Sequence, residues 1–437
     1  MCEFRDSYNL IPAPLSAYKK DEIDYNIMEI AERHKPKNWE KIRSYLKSDC
    51  IYLHEMITSF IEDYGMNLTQ AGAAMKTWAK MSKIKKPQSS AFYYDEISKY
   101  YYGGRVECFE TGIINDKFKV IDIRSAYPYA MTFLHPWGLN FSTFDYLPEN
   151  LTDQELGRCF ITLEAKSLGA FPAREKSGLT FHNDGELRIF HITGWEFMGA
   201  RDTNCLQNFK IMEVRQYFET VEFTEYVEHF FKMKDEAKAT GDNARYLFAK
   251  IFLNALYGKF ASNPANYEEF MTMPAKLLDG AIDDGWFFCK LLSEETAIVN
   301  KPLDEEKQRY YDVAVAASIT GFVRAYLFRN IKICDGVLYC DTDSIAAKRI
   351  GDGVPTSDIL GDWEQEAECD FGAIAGKKLY AFRKLDGSWK TATKGVRLTP
   401  DQVIEIANGA TVTYEPEAPT FSVKRGIIFT PRKIRMI

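Results

Sequence analysis

Apolar residues recur at helical spacing from Trp39 to Phe60, at Ile42, Tyr45, Leu46, Cys50, Leu53, Met56 and Ile57, which predicts a helix after a short strand-like start at Glu3-Phe4-Arg5. Thr69 stands where the N-cap of a second helix would. A basic stretch from Lys76 to Lys86, with Trp78 inside it, then runs into a linker at Pro87-Gln88-Ser89-Ser90. The β-branched run Lys119 to Ile123 predicts a strand that turns at Ser125 and Pro128. Cys159 to Leu163 and Leu187 to His191 read as further strands. Helical segments are expected over Thr193 to Ala200 and Ile211 to Phe218. An amphipathic helix is expected over Phe223 to Lys238, and a second from about Asp242 to Phe260. Residues 265–308 lack clear periodicity. Val313, Ala316, Ile319, Phe322, Val323, Tyr326 and Leu327 mark a helix over Tyr311 to Ile331. Last, Val337-Leu338-Tyr339 leads into Asp341-Thr342-Asp343, and Ile345-Ala346-Ala347 leads out, the pattern of a β-hairpin with acids at its tip.

That tip carries the first candidate chemistry. Side chains alternate along extended chain, so Asp341 and Asp343 project to one side. Clustered carboxylates repel unless a cation lies between them, and Mg²⁺ takes such oxygen ligands together with substrate phosphates. The bland alternative is an acidic turn in solvent. Asp122 ends an apolar strand, where an unpaired acid is costly; it either shares that cation or caps the short helix that follows. Lys250, Asn254 and Tyr257 are spaced i, i+4, i+7 and share a helix face. They suit a triphosphate and a stacked base, or else form a solvated face with one core tyrosine. Tyr45 and Asp49 are one helical turn apart, either a pair orienting a metal-bound water or a core phenol beside a surface acid. Gly103-Gly104 after Tyr101 lets backbone approach a phosphate, or is an ordinary turn.

Composition narrows the class. At 437 residues, 46% of them hydrophobic and 14% aromatic, the chain is globular with room for two or three domains. No apolar run approaches the ~20 residues that span a bilayer. Met1-Cys2-Glu3-Phe4-Arg5 lacks the apolar core of a signal peptide. Nine cysteines without a Cys-x-x-Cys pair argue for reduced thiols in a cytoplasmic setting and against structural zinc. The net charge of −7 counts against nucleic-acid binding. Local clusters offset it: Lys76, Lys80, Lys83, Lys85 and Lys86; Lys232, Lys234 and Lys238; Arg425, Arg432, Lys433 and Arg435.

Taken together, Lys119 to Pro128, Lys250 to Phe260 and Leu338 to Ile345 resemble motifs A, B and C of the family B DNA polymerases. In that family they read Asp-x-x-Ser-Leu-Tyr-Pro, Lys-x-x-x-Asn-Ser-x-Tyr-Gly and Tyr-x-Asp-Thr-Asp-Ser. Here motif C is complete, while Ala126 and Ala255 stand where Leu and Ser are usual. The order is the family's. Tyr101-x-Gly103-Gly104 resembles its Tyr-x-Gly-Gly motif, which holds template strand. Lys378-x-Tyr380 resembles its primer-steadying Lys-x-Tyr motif, with both side chains on one side of a strand. Lys394-Gly395 resembles the next primer-side lysine, and Tyr45-x-x-x-Asp49 the third exonuclease motif. Tyr-x-Gly-Gly, the run Tyr257 to Asn263 and the motif C run point to the protein-primed branch found in phages and linear plasmids.

The resemblance implies an α+β fold of the right-hand polymerase type, with palm, fingers and a short thumb. It implies an exonuclease-like remnant over 1–95, truncated at its N-terminus so that proofreading is lost; Asp6-Ser7 resembles the segment after the second exonuclease motif. The palm with motif A would span 96–235, including a terminal-protein-docking insertion within 165–225. Fingers would span 236–263, a second insertion 264–310, the palm with motif C 311–394 and the thumb 395–437. Asp122, Asp341 and Asp343 would be catalytic, with two Mg²⁺ ions (Mn²⁺ as substitute) on Asp122, Asp343 and the backbone carbonyl of Ile123. Ser125, Tyr127, Lys238, Lys250, Asn254 and Tyr257 would bind dNTP, Tyr127 by excluding a ribose 2′-hydroxyl. Tyr101, Gly103, Gly104, Lys378, Tyr380 and Lys394 would bind primer-template DNA. The implied partners are DNA, dNTPs and a terminal protein primer, with no membrane. Three alternatives stay open: a subunit of a split enzyme whose exonuclease is a separate polypeptide, a non-catalytic binding remnant, and a polymerase extending ordinary nucleic-acid primers.

Overall fold

The structure, a computed structural model, describes residues 7–11, 14–67, 69–84, 91–176, 178–263, 268–302, 312–416, 420–422, 426–428 and 431–436. The strand-like start at Glu3-Phe4-Arg5, Asp6, Lys85 and Lys86, the Pro87 to Ser90 linker and Arg425 lie outside the described residues.

An antiparallel sheet of eight strands carries the three acids. Its order is Val106–Cys108, Asp335–Asp341, Ser344–Arg349, Phe118–Ile123, Trp363–Gly376, Leu379–Lys384 and Trp389–Thr393, with Gly112–Ile114 pairing off this path onto Trp363–Gly376. Along the central strand Ile121 and Ile123 turn into the main core, while Phe118 and Val120 join a smaller cluster on the other face. Alternation puts Asp122 on that second face. Tyr339, Tyr380 and Phe382 belong to the same cluster, so the acids share a face with the Lys-x-Tyr segment.

Behind the first face lies the helix Val313–Ile333, buried along almost its whole length. Its Arg324 and the Glu196 of helix Gly194–Asp202 form an ion pair at 2.8 Å, each side chain 1% exposed. Glu196 also accepts from the Thr193 backbone N–H and hydroxyl, closing a capping box. Removing one partner of such a pair strands a charge in low dielectric. Glu196→Ala should therefore lose about 3–5 kcal/mol of unfolding free energy, read from the urea midpoint, with Glu196→Gln losing less.

The helices Thr224–Thr240 and Asn243–Phe260 form a hairpin joined at Gly241, whose φ of 71° is left-handed. Asp242 caps the second helix by accepting the Arg245 N–H. Phe230, Phe248 and Phe252 meet between them, and Phe60 and Tyr64 of helix Pro36–Tyr64 pack on Phe248 and Phe252. Thr69 does cap helix Gln70–Ser82, and Trp78 is core rather than surface, set against Trp137, Phe223 and Phe260. Helix Pro36–Tyr64 matches the apolar spacing, yet Trp39, Leu46, Ile51 and Leu53 stay exposed. Among the described residues no helix is long and apolar enough to cross a membrane.

One expectation is corrected, and one stretch without a legible period proves to hold strands. Ile211 to Phe218 is not helical: it lies in strand Gln207–Tyr217, paired with Cys159–Lys166 and Phe141–Phe144. A β-bulge between Ile211 and Glu213 breaks the two-residue alternation, which leaves Ile211, Val214 and Tyr217 at a spacing that imitates a helix. Within 265–308, Glu268–Pro274, Phe287–Leu291 and Thr296–Pro302 form a three-stranded sheet. Phe270, Met271, Phe287 and Phe288 are all exposed there, so apolar residues fall on both faces and no period is legible.

Candidate active site

The acidic hairpin turns sooner than strand alternation suggested. Asp341 pairs with Ser344, so Thr342 and Asp343 form the turn itself, Thr342 with a left-handed φ of 60°. Asp341 and Asp343 are therefore not successive same-side residues of an extended strand; the bend, not the alternation, sets their positions. Across the hairpin's other edge Ser344 pairs with Asp122, and Ile123 N–H donates to the Asp343 carbonyl at 2.8 Å. These bonds bring the end of the motif A strand beside the turn. The capping alternative for Asp122 fails, because the N-cap position of helix Ala126–Met131 is Ser125.

Charge tells the three acids apart. Burial, then the neighbouring Asp343 and Glu366, push the Asp122 carboxyl up to about 8. Burial, then Asp341, push Asp343 up to about 6. Asp341 is already engaged: its Oδ1 accepts from Lys378 Nζ at 2.8 Å and Thr342 Oγ1 at 3.0 Å, its Oδ2 from the Tyr339 hydroxyl at 3.3 Å. Accordingly, no group of three or more His, Cys, Asp or Glu is placed to hold a metal among the described residues. Asp122 and Asp343 remain as a desolvated carboxylate pair with too much negative charge between them. That donor set suits a hard divalent cation, whose charge would relieve the repulsion.

The Tyr-x-Gly-Gly loop rests on this turn. A Cβ on Gly104 would come within 2.8 Å of the Thr342 side chain, so only glycine fits unless the threonine shifts. Thr342 N–H donates to the Arg105 carbonyl at 2.6 Å. Arg324 Nη1 donates to the carbonyls of Tyr102 at 2.6 Å and Gly103 at 2.9 Å. Arg174 holds the Tyr101 carbonyl.

Between helix Ala126–Met131 and helix Asn243–Phe260, the Tyr127 and Tyr257 rings stack with centroids 4.2 Å apart and planes 5° from parallel. Burial pushes both phenols up. Lys250 and Asn254 are exposed on the same helix as Tyr257, joined by a bond from Asn254 Nδ2 to the Lys250 carbonyl. Lys238 is exposed in the last turn of its helix. The lysine that reaches motif A is instead Lys234, one turn earlier, which donates to Ser125 Oγ at 3.0 Å. It is 8% exposed, and burial pushes it down to about 8. A lysine inside the buried stripe Tyr226, Val227, Phe230 and Ala237 was a readable signal of that role.

Lys378 is not on a strand, as the Lys-x-Tyr spacing suggested. It occupies the turn before Leu379–Lys384 with a φ of 57°, and its N–H donates to the Tyr339 hydroxyl. Tyr380 follows on the strand, its ring 5.0 Å from Tyr339. Lys394 is exposed beyond strand Trp389–Thr393. Tyr45 and Asp49 sit apart from this centre, on helix Pro36–Tyr64. The Tyr45 hydroxyl lies 3.2 Å from that of Tyr25, with Lys20 close to both rings. Asp49 Oδ1 is buried and has no hydrogen-bond partner. Lys20 and Tyr25 come from a segment whose sequence carries no periodic signal.

The family described as DNA polymerase type B, organellar and viral, matches residues 2–350. The chain is 35% identical to the DNA-directed DNA polymerase of Enterobacteria phage PRD1, over 99% of its own length and 81% of that protein. The chain belongs to the type B DNA polymerases. It is 24% identical to the DNA polymerase of Bacillus phage Nf, over 88% of the chain and 69% of that protein. Against a probable DNA polymerase of Neurospora intermedia it is 22% identical, over 75% of the chain but only 36% of that larger protein. The fold is that of the Phi29 DNA polymerase in complex with primer-template DNA and incoming nucleotide. That match has a TM-score of 0.71 and 20% identity, and it covers 99% of this chain and 79% of the other. The type B polymerase fold, a right hand, and its enzyme class, DNA-directed DNA polymerase, are thus those of this chain.

Proposed function

We propose that the chain extends a primer 3′-hydroxyl by template-directed nucleotidyl transfer with two divalent cations at Asp122 and Asp343. The observation that carries this is the convergence of those two desolvated carboxylates, remote in sequence, beside a lysine-bearing helix hairpin. When bound, Mg²⁺ or Mn²⁺ would acidify the 3′-hydroxyl and stabilise the departing pyrophosphate. Asp341, held by Lys378, supports the pair electrostatically. Lys250 and Lys234 neutralise triphosphate charge as it builds. The paired Tyr127 and Tyr257 rings floor the nascent base pair. Palm is assigned to 96–235 and 311–394, fingers to 236–263, and the short thumb to 395–437. Primer extension with Mg²⁺ and dNTPs tests the reading, and failure of the pure chain to extend any primed template would sink it.

Tyr127 sets the sugar preference in this reading. Its ring is fixed by the Tyr257 stack and cannot swing away from a 2′-hydroxyl. Tyr127→Val should weaken discrimination against ribonucleotides by about 10–200-fold, the range that pocket sterics command. Single-nucleotide insertion with paired dNTP and rNTP measures it, and an unchanged ratio would count against the role.

Priming by a protein hydroxyl is the finer part of the proposal. It is supported by the run Tyr257 to Asn263, with the terminal-protein-docking insertion assigned within 165–225 and the second insertion, 264–310, holding the three-stranded sheet over 268–302. A covalent dNMP adduct on a candidate terminal protein tests it. Tyr45 and Asp49 supply one carboxylate to an exonuclease chemistry that uses two metals. A separate polypeptide completing the exonuclease is the second reading. The exposed apolar side chains Trp39, Leu46, Ile51 and Leu53 on the same helix favour it.

A further inference from the structure

Strand Trp389–Thr393 has two distinct faces. Trp389 packs with Phe371 in a cluster beneath the sheet, while Ala392 packs with the cluster that holds Tyr339, Tyr380 and Phe382. Lys390 alternates with Trp389 and so shares the Ala392 face. In register it stands directly opposite Phe382, two residues along from Tyr380. Its ammonium is held 2.5 Å from both oxygens of Glu366 on strand Trp363–Gly376. Glu366 lies two residues from Glu364, the partner of Asp122. The lysine is 22% exposed and the glutamate 39%, so neither is sealed in the core.

This arrangement repeats one already described. Lys378, at one end of the Tyr380 strand, rests on a carboxylate of the catalytic face, Asp341, at 2.8 Å. Lys390, on the neighbouring strand, rests on another. Two cations thus flank the Tyr380 and Phe382 rings, which stack at 4.4 Å, and each is balanced by an acid that DNA could displace it from. A lysine neutralised at the surface of an acidic face adds little to stability. Released to a phosphate, it adds directly to DNA affinity by counterion release.

We propose that Lys390 is a second primer-strand phosphate contact beyond Lys378, with Glu366 as its counter-ion while DNA is absent. This rests on the reading that Lys378 and Tyr380 face the primer. Asp122, Asp341, Asp343, Glu364 and Glu366 crowd this face and would repel a primer backbone unless cations stood among them. Lys378 and Lys390 are so placed. A lysine makes this contact as a point charge, so arginine should serve in its place.

The test is equilibrium binding of a fluorescent primer-template to the full chain across a salt series without divalent metal. Lys390→Ala should flatten the slope of log affinity against log salt by about 0.9, one phosphate contact, and Lys390→Arg should restore it. Glu366→Gln, which frees the ammonium, should bind as tightly as the parent or more tightly. A purely structural ion pair predicts the reverse: equal losses from Lys390→Ala and Glu366→Gln, with the slope unchanged, and that result overturns the proposal. Neutral methylphosphonates placed singly along the last few primer phosphates should abolish the Lys390→Ala effect at one position. Loss of the effect at none of them also overturns it. Lys378→Ala separates the two readings. If it flattens the slope and Lys390→Ala does not, only this inference fails; if neither does, the primer-side reading fails with it.

Discussion

Asp343→Asn should cut single-turnover nucleotide incorporation by at least ~10³-fold, the scale of several kcal/mol of lost charge stabilisation, while the melting temperature holds or rises. The two effects have one cause. Burial, then the charge of Asp341, push the Asp343 carboxyl up to about 6, and Asp343 in turn raises Asp122. Asparagine keeps the shape, ends the repulsion and removes a cation ligand. Sites kept strained for function gain stability when disarmed. A variant that is both inactive and cooperatively unfolded at lower temperature would point to a structural acid instead. The same electrostatics predict a pH dependence. Asp122 and Asp343 are raised above ordinary carboxylates, so cation binding must expel protons. The Mg²⁺ concentration for half-maximal rate should therefore fall as pH rises from about 6 to about 8, and a requirement indifferent to pH would contradict the assignment.

Lys250→Ala should lower kcat/KM for dNTP by about 10²–10³, the usual penalty for removing one donor aimed at developing charge. Lys250 is exposed on its helix face, free to meet the triphosphate, whereas Lys234 is fixed beneath on Ser125. Lys250→Arg should recover part of the loss, because it keeps charge but changes geometry. Pre-steady-state insertion across a dNTP series separates the terms. A fall in affinity alone, with kcat intact, would make Lys250 a docking residue with no share in transition-state stabilisation.

The elements that carry this candidate centre were legible in the sequence. Asp122, the 341–343 tip and the Lys250 face each sit in a segment whose local pattern is strong. The hairpin, the strand into Asp122 and both long helices appear where periodicity places them. What escaped depends on contacts between distant segments. Lys234 and Lys238 are both lysines of one helix, and only the position of Ser125 decides between them. Lys378 reaches Asp341 from the turn before a distant strand, a contact that no local spacing encodes. Glu366 and Lys390 carry no motif, and each acquires meaning only from the other. The strand at Gln207–Tyr217 misled for the opposite reason: a local irregularity copied the period of another element.

Gly104, which leans on Thr342, ties the shape of its loop to the bend of the hairpin. The loop's backbone and the hairpin's bend touch with no adjustable side chain on the loop's side, and Arg324 pins that loop to the interior. Transplanting this loop from a relative would disturb the acidic turn unless the matching hairpin and its anchoring arginine travelled with it. The portable unit for engineering is the set of all three.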